Sequence, residues 1–392
     1  MTKKKKLLFI MESLGIGGAE KSLLTLLSRL DYENYDVDLF LFRHNGELMK
    51  FLPKNVHLLP EDDTYKIFDN NWKTAPFNYL KRTDIKRFWH SMLYLFGCIR
   101  QRILRKPLYI GWNHVRYLFS VHSIETDIAV AYLERKCIYF VNEKVSAKKK
   151  IGFIHNDYSI YPYDYKCDQE AFGSYDWIAT VSDHCKAVLI KIFPEYKNKF
   201  LVIKNMVSSQ MIHALAEEPL PENITRKPGE KIIVTVGRLV HQKGYDIAVQ
   251  ICQELVHNGM KLKWYAVGEG PERKALQDQI DKLGLHEIFV LVGAQTNPYN
   301  WMKMADIYVQ PSRFEGFGIT VAEAKVLGKP IVCSDIPEFR EQLKESEHYK
   351  YARNCLEFIQ EIQKMFEHKI YDEEILVDVQ KESINIFNNC LK

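Results

Sequence analysis

The chain has 392 residues, more than one hydrophobic core accommodates, so two domains are expected. Its 46% hydrophobic and 27% charged residues match an ordinary folded protein and exclude the disordered and fibrous classes. A net charge of +4 is small for this length and gives no whole-chain case for a nucleic-acid partner, so basic stretches are read locally.

The lysines at 3–6 run straight into Leu7, Leu8, Phe9 and Ile10. That apolar run is too short for a signal core or a membrane span, and it predicts a buried first strand over 7–11. No stretch elsewhere reaches about 18 uninterrupted apolar residues, so any membrane contact would be peripheral. The turn Gly15-Ile16-Gly17-Gly18-Ala19-Glu20 follows, and leucines at helical spacing predict a helix over 22–30. The glycines suit either an anion held at a helix N-terminus or a tight turn without a ligand, and the spacing is not GxGxxG. Further apolar runs predict strands at 37–42, 56–59, 127–132, 151–154, 177–181 and 200–203. Asp36-Val37-Asp38 has the form of a metal-holding DxD, but strand alternation accounts for it.

Between 81 and 117 the chain carries Lys81, Arg82, Lys86, Arg87, Arg100, Arg102, Arg105, Lys106 and Arg116 against one acid, Asp84. Trp89, Tyr94, Phe96, Tyr109, Trp112 and Tyr117 are interleaved with them. This pattern fits an anionic bilayer surface, a solvated helix with a buried aromatic face, or an RNA-binding surface. His155 follows the strand at 151–154, at the carboxyl end where parallel sheets bind ligands; a structural histidine is the plainer alternative.

From 207 to 230 the pattern lapses into a polar stretch with Glu217, Glu218, Pro219, Pro221, Pro228 and Gly229, which reads as a linker. Strands then resume at 232–236, 264–267, 289–292, 307–309 and 331–333, with amphipathic helices between them. After Lys344 the chain is charged up to Tyr351 and a helix follows, so the end of the second sheet is in doubt. The boundaries are 1–206, a linker at 207–230, 231–370, and a C-terminal helix within 371–392 that packs back on the first domain. The eight cysteines show no CxxC pair or zinc spacing, as expected of reduced cytosolic thiols.

The second half carries the densest chemistry. Gly237-Arg238 ends a strand and Lys243-Gly244 opens the next helix, so two cations five residues apart can neutralise a diphosphate, or simply be solvated. Gly268, Gly270 and Pro271 end the following strand, where a loop pressed against a ligand needs small residues. The run Arg313-Phe314-Glu315-Gly316-Phe317-Gly318-Ile319-Thr320-Val321-Ala322-Glu323-Ala324 places one carboxylate before a helix and another about two turns into it. Fixed carboxylates accept from sugar hydroxyls, and glycines at a helix start expose N–H groups to phosphate.

Together, the Glu315 to Glu323 segment, the Arg238 and Lys243 pair, the Gly268-Glu269-Gly270-Pro271 turn and the Gly17-Gly18 loop resemble the retaining GT-B glycosyltransferases of family 4, glycosyl transferases group 1. The resemblance covers nearly the whole chain. It implies an α/β fold of two Rossmann-like, doubly wound parallel-sheet domains facing a central cleft, with the acceptor side in the first and the nucleotide-sugar site in the second. It also implies that Arg238 and Lys243 bind the diphosphate and stabilise the departing nucleotide, with Glu315 by the donor sugar and Glu323 on the ribose hydroxyls.

By the same resemblance, His155 joins Glu315, Arg238 and Lys243 as catalytic. Gly17, Gly18, Gly268, Gly270, Gly316, Phe317, Gly318 and Ile319 line the donor. No metal and no cofactor are implied, the nucleotide sugar being a substrate. The two carboxylates could instead suggest a glycosidase, but the family does not require such a pair. The implied reaction is front-face, retaining transfer from a UDP-sugar to a lipid-linked or other surface-glycan intermediate. The implied setting is the cytoplasm, peripheral on the inner face of the plasma membrane, with no nucleic-acid partner. Two other readings stay open: a catalytically silent GT-B subunit, and a nicotinamide-dependent oxidoreductase, which the missing GxGxxG disfavours.

Overall fold

A computed structural model of the chain describes residues 4–104, 111–120, 123–160, 163–222, 224, 226–368 and 379–392. The chain divides into two compact units, Met1–Met206 with Lys381–Lys392, and Val207–Gln380.

The first unit is a seven-stranded, all-parallel sheet. Its strands are β1 (Lys5–Met11), β2 (Tyr35–Leu41), β3 (Val56–Leu58), β4 (Ile124–Ala131), β5 (Val145–Ile154), β6 (Trp177–Thr180) and β7 (Phe200–Val202), in the order β3-β2-β1-β4-β5-β6-β7. Parallel strands need helical crossovers, so both sheet faces are covered and the central strands read as continuous apolar runs. Alternate residues of β1 serve opposite faces. Leu7, Phe9 and Met11 pack with Leu23, Leu26 and Leu27 of the helix Gly18–Leu27, whereas Leu8 and Ile10 pack in the core that holds Trp112, Tyr139 and Phe140. The helix Val379–Leu391 adds Phe387 to the first of these cores, its ring 6.1 Å from Phe9 and 6.2 Å from Phe153. Residues 371–378 of the expected C-terminal segment lie outside the described residues. β5 starts six residues earlier than its apolar run, because the lysines at 148–150 hide a half whose register is set by pairing with β4.

The second unit holds a six-stranded parallel sheet. Its strands are β8 (Lys231–Val236), β9 (Leu262–Val267), β10 (Phe289–Gly293), β11 (Ile307–Gln310), β12 (Ile331–Ser334) and β13 (Tyr349–Ala352), in the order β10-β9-β8-β11-β12-β13. Two expectations change here. β13 exists as a short edge strand paired to β12, with only its end residues buried, which is why its sequence carries so little apolar signal. Within the stretch read as a linker, Ser209–Ala216 is a helix: Ser208 Oγ accepts from the Met211 N–H at 3.2 Å, and Ile212 and Ala216 join a core with Trp301 and Tyr308. Two apolar anchors four residues apart suffice for so short a helix and leave its other positions polar. No helix of the described residues is long and apolar enough to cross a membrane.

Candidate functional site

In a doubly wound sheet, ligands bind where neighbouring strands send their crossovers in opposite directions. In the second sheet that point lies between β8 and β11. β8 is followed by Gly237, Arg238 and the short turn His241–Lys243; β11 is followed by a loop leading to the helix Ile319–Val326.

The two loops meet in an ion pair. Lys243 Nζ lies 2.7 Å from Glu315 Oε1 and 2.9 Å from Oε2, with the side chains 13% and 5% exposed. A pair this buried persists only if further hydrogen bonds offset its lost hydration. They come from the strand below. Ser312 Oγ donates to Glu315 Oε1 at 2.6 Å, Gln310 Nε2 donates to Ser312 Oγ at 2.9 Å, and Tyr308 O–H donates to Gln310 Oε1 at 2.7 Å. A second set of bonds locks the loops together. Gln242 Nε2 donates to Phe314 O at 3.0 Å, and Arg313 grips Asp246 with two bonds of 2.8 and 2.6 Å. The Arg313 guanidinium holds the Asp246 carboxyl below its usual range. Gly244, at φ 68°, lets the loops close, since a Cβ there would stand 2.0 Å from Pro311 O.

Lys243 is thus committed to Glu315. Arg238 is exposed, and its side chain has no hydrogen bond or ion pair among the described residues, so it is the cation open to an anion. The helix Ile319–Val326 starts after Gly318, and its first N–H groups have no partner within the helix. Gly316 and Phe317 are buried; Phe317 is a core side chain whose carbonyl accepts from Gln342 Nε2. Glu323 is 1% exposed and its Oε1 accepts from Tyr299 O–H at 2.8 Å.

Gly268 and Gly270 are required by the packing of the loops on each other. A Cβ on Gly268 would stand 1.8 Å from Gly237 O, and one on Gly270 2.3 Å from Leu239 O. These glycines let the loop after β9 lie against the loop after β8, to which it is joined by Leu239 N–H donating to Glu269 O at 3.0 Å.

In the first unit, Gly17 caps the helix Gly18–Leu27 with no side-chain bond of its own. Glu20, at the third helical position, folds back over it, its Oε2 2.1 Å from where a Gly17 Cβ would be. That carboxylate faces the helix start where an anion was expected. His155 is 7% exposed, and its Nε2 donates to Tyr132 O at 3.0 Å. Burial holds its pKa below the ordinary histidine value, so the neutral ring offers only Nδ1, as an acceptor.

Sequence reasoning missed several groups. Ser312 and Gln310 were passed over, although a glutamine ending a buried strand was a usable signal. So was the pair at the first sheet's own switch point, between β1 and β4, where Lys136 Nζ lies 3.2 Å from Glu12 Oε1 beside Arg43 and Asp69, themselves 3.0 Å apart. Burial opposes the Lys136 charge, but Tyr65, Glu12 and Asp69 outweigh it and hold its pKa above the ordinary lysine value.

Only part of the basic and aromatic set in the segment 81–117 stays exposed and unpaired. Trp112 is 2% exposed, Tyr94 packs edge-on to Phe68 at 4.9 Å, and Arg87 and Arg116 pair with Asp84 and Glu143. Arg105, Lys106 and Tyr109 lie outside the described residues. Asp36 and Asp38 lie on β2, where Asp38 accepts from His57 Nδ1 at 2.9 Å. Among the described residues, no group of three or more His, Cys, Asp or Glu is placed to hold a metal ion.

Residues 216–375 match the family model of glycosyl transferases group 1. An uncharacterized glycosyltransferase of Methanocaldococcus jannaschii is 27% identical over 161 residues, 41% of this chain and 40% of that protein. The lipopolysaccharide core biosynthesis mannosyltransferase LpsB of Rhizobium meliloti is 34% identical over 121 residues, 29% of this chain and 34% of its own. The matches therefore span well under half the length of these curated relatives. The crystal structure of Anabaena HepE, in complex with UDP and glucose, aligns with 99% of this chain and 98% of its own at a TM-score of 0.64 and 15% identity. The chain has the GT-B fold, and its residues 216–375 are similar to the glycosyl transferases group 1 family.

Proposed function

We propose that the protein is a glycosyltransferase that moves a sugar from a UDP-sugar to a hydroxyl of a lipid-linked or other surface-glycan intermediate, with retention of anomeric configuration and without a metal ion. The observation that carries this reading is the buried Lys243–Glu315 pair beside exposed Arg238, at the switch point of the sheet within the family-matched segment. Relatives of that segment are sugar transferases, and the Anabaena protein binds UDP and glucose.

In this reading Arg238 grips the diphosphate, and the N–H groups opening the helix Ile319–Val326 add positive potential. Lys243, held by Glu315, meets the charge that grows on the departing nucleotide without having to reorganise. Glu315 receives sugar hydroxyls, and Glu323, fixed by Tyr299, receives those of the ribose. The bond from anomeric carbon to phosphate oxygen breaks as the acceptor oxygen bonds the same carbon from the same face, and the acceptor proton passes to the leaving phosphate. His155, through Nδ1, and the Gly17 and Gly18 loop are proposed to serve the same reaction. A lipid-linked acceptor would place the work at the cytoplasmic membrane surface.

Purified protein should release nucleotide from at least one of a panel of UDP- and GDP-sugars, and should do so with a chelator present. Arg238→Ala, at an exposed position, and Glu315→Gln should each lower that release by about 10²-fold, with the melting curve of Arg238→Ala unchanged. Full activity in both variants would sink the site assignment. Thermal stabilisation by NAD and by no sugar nucleotide would overturn the function.

A further inference from the structure

The helix Ile85–Leu104 is apolar on two opposite sides, and the fold uses only one of them. Inward, Ser91 is fully buried, and Phe88 and Tyr94 pack against the core of the first unit. Outward, Ile85, Trp89, Leu93, Phe96, Ile99 and Ile103 recur at spacings of three and four, the rule for one helix face, and they are 45–73% exposed. Phe77 and Leu80 of the preceding helix Ala75–Lys81 are 62% and 46% exposed. Apolar surface of this extent does not stay in water on a monomer without a use.

The charges beside the stripe say what covers it. The helix contains no acidic residue over its 20 positions, while Lys86, Arg100 and Arg102 are exposed along it and Lys81 and Arg82 stand exposed just before it. We infer that this face seats the protein on an anionic lipid bilayer, with the stripe in the headgroup–acyl boundary and the cations on lipid phosphates. Trp89 has the amphipathic ring suited to that depth. A soluble partner would have to supply an apolar groove about 30 Å long and edged with acids, whereas an anionic bilayer supplies both properties over any length. The inference deepens the membrane-side setting proposed above, and it is tested without any sugar substrate, so its failure leaves the transfer reaction standing.

The test is co-sedimentation of the full chain with phosphatidylcholine vesicles that contain or lack phosphatidylglycerol. The wild type should pellet with the anionic vesicles only, and less so as salt is raised. Trp89→Ser with Phe96→Ser, and separately Arg100→Glu with Arg102→Glu, should each weaken binding about tenfold or more. All four positions are exposed, so unchanged melting curves will certify the fold. Wild-type protein left in the supernatant with anionic vesicles overturns the inference, as does equal binding by both variants. A wild-type dimer that Trp89→Ser with Phe96→Ser dissociates, seen by light scattering in the absence of vesicle binding, overturns it in favour of a second copy of the chain.

Discussion

Ser312 decides how Glu315 presents its carboxylate. Its hydroxyl donates to Glu315 Oε1 at 2.6 Å while accepting from Gln310 Nε2, so one small side chain joins the strand end to the ion pair. Ser312→Ala leaves the buried Gln310 amide without that acceptor and removes a donor from a buried carboxylate. The expected loss is about 1–3 kcal/mol of stability, read from urea unfolding. Ser312→Thr, which keeps the hydroxyl, should recover part of it, and an unperturbed unfolding curve for the alanine variant would show that the chain of donors contributes nothing. Lys243 is a harsher site. Removing it strands Glu315 at 5% exposure, a loss of about 3–5 kcal/mol, so a Lys243 variant tests folding and chemistry together. Arg238, exposed and unpaired by its neighbours, separates the two.

Among the elements, the helix Tyr165–Gly173 carries one buried acid that joins it to two neighbouring segments. Asp168 is 2% exposed and accepts from Tyr139 O–H at 2.8 Å, on the helix Lys136–Lys144, and from Tyr158 O–H at 2.6 Å. Burial outweighs these two donors and pushes its pKa up to about 7. The native state therefore keeps a proton that the unfolded chain gives up above its ordinary value of 3.8. The stability this group contributes is whole below that value, falls as pH rises towards about 7, and is flat beyond. Asp168→Asn cannot ionise, so its melting temperature relative to wild type should rise from about pH 4 to about pH 7 and level off above that. A gap that does not change with pH would mean that Asp168 is already ionised throughout, and the account would fail.

At the scale of the whole chain, the first unit is discontinuous: its last piece, Lys381–Lys392, arrives after the second unit has been traversed. Phe387 is fully buried with Phe9 and Phe153, and Cys390 and Leu391 pack in the same core. The core of the first unit is therefore complete only with residues that follow the second unit in the chain. Phe387→Ala should cost it about 3–5 kcal/mol and lower its melting transition in calorimetry, leaving the second unit's transition in place. A bound sugar nucleotide raises the transition of the unit that holds it, which identifies the two peaks. A uniform shift of both peaks in the Phe387 variant would show that the units melt as one.

The sequence by itself determined twelve of the thirteen strands among the described residues and placed the candidate site residues at their carboxyl ends, because a parallel strand buried on both faces must be apolar and its flanking turns must be glycine-rich or charged. β13 escaped because an edge strand with one neighbour buries little. Tertiary structure alone decided that Lys243 and Glu315, 72 residues apart, hold each other, and that Gly268 answers to the Gly237 carbonyl. It also decided which apolar side of the helix Ile85–Leu104 is covered. Local periodicity marks the apolar positions of an element, but only the register between strands and the packing of one element on another determine what each position faces.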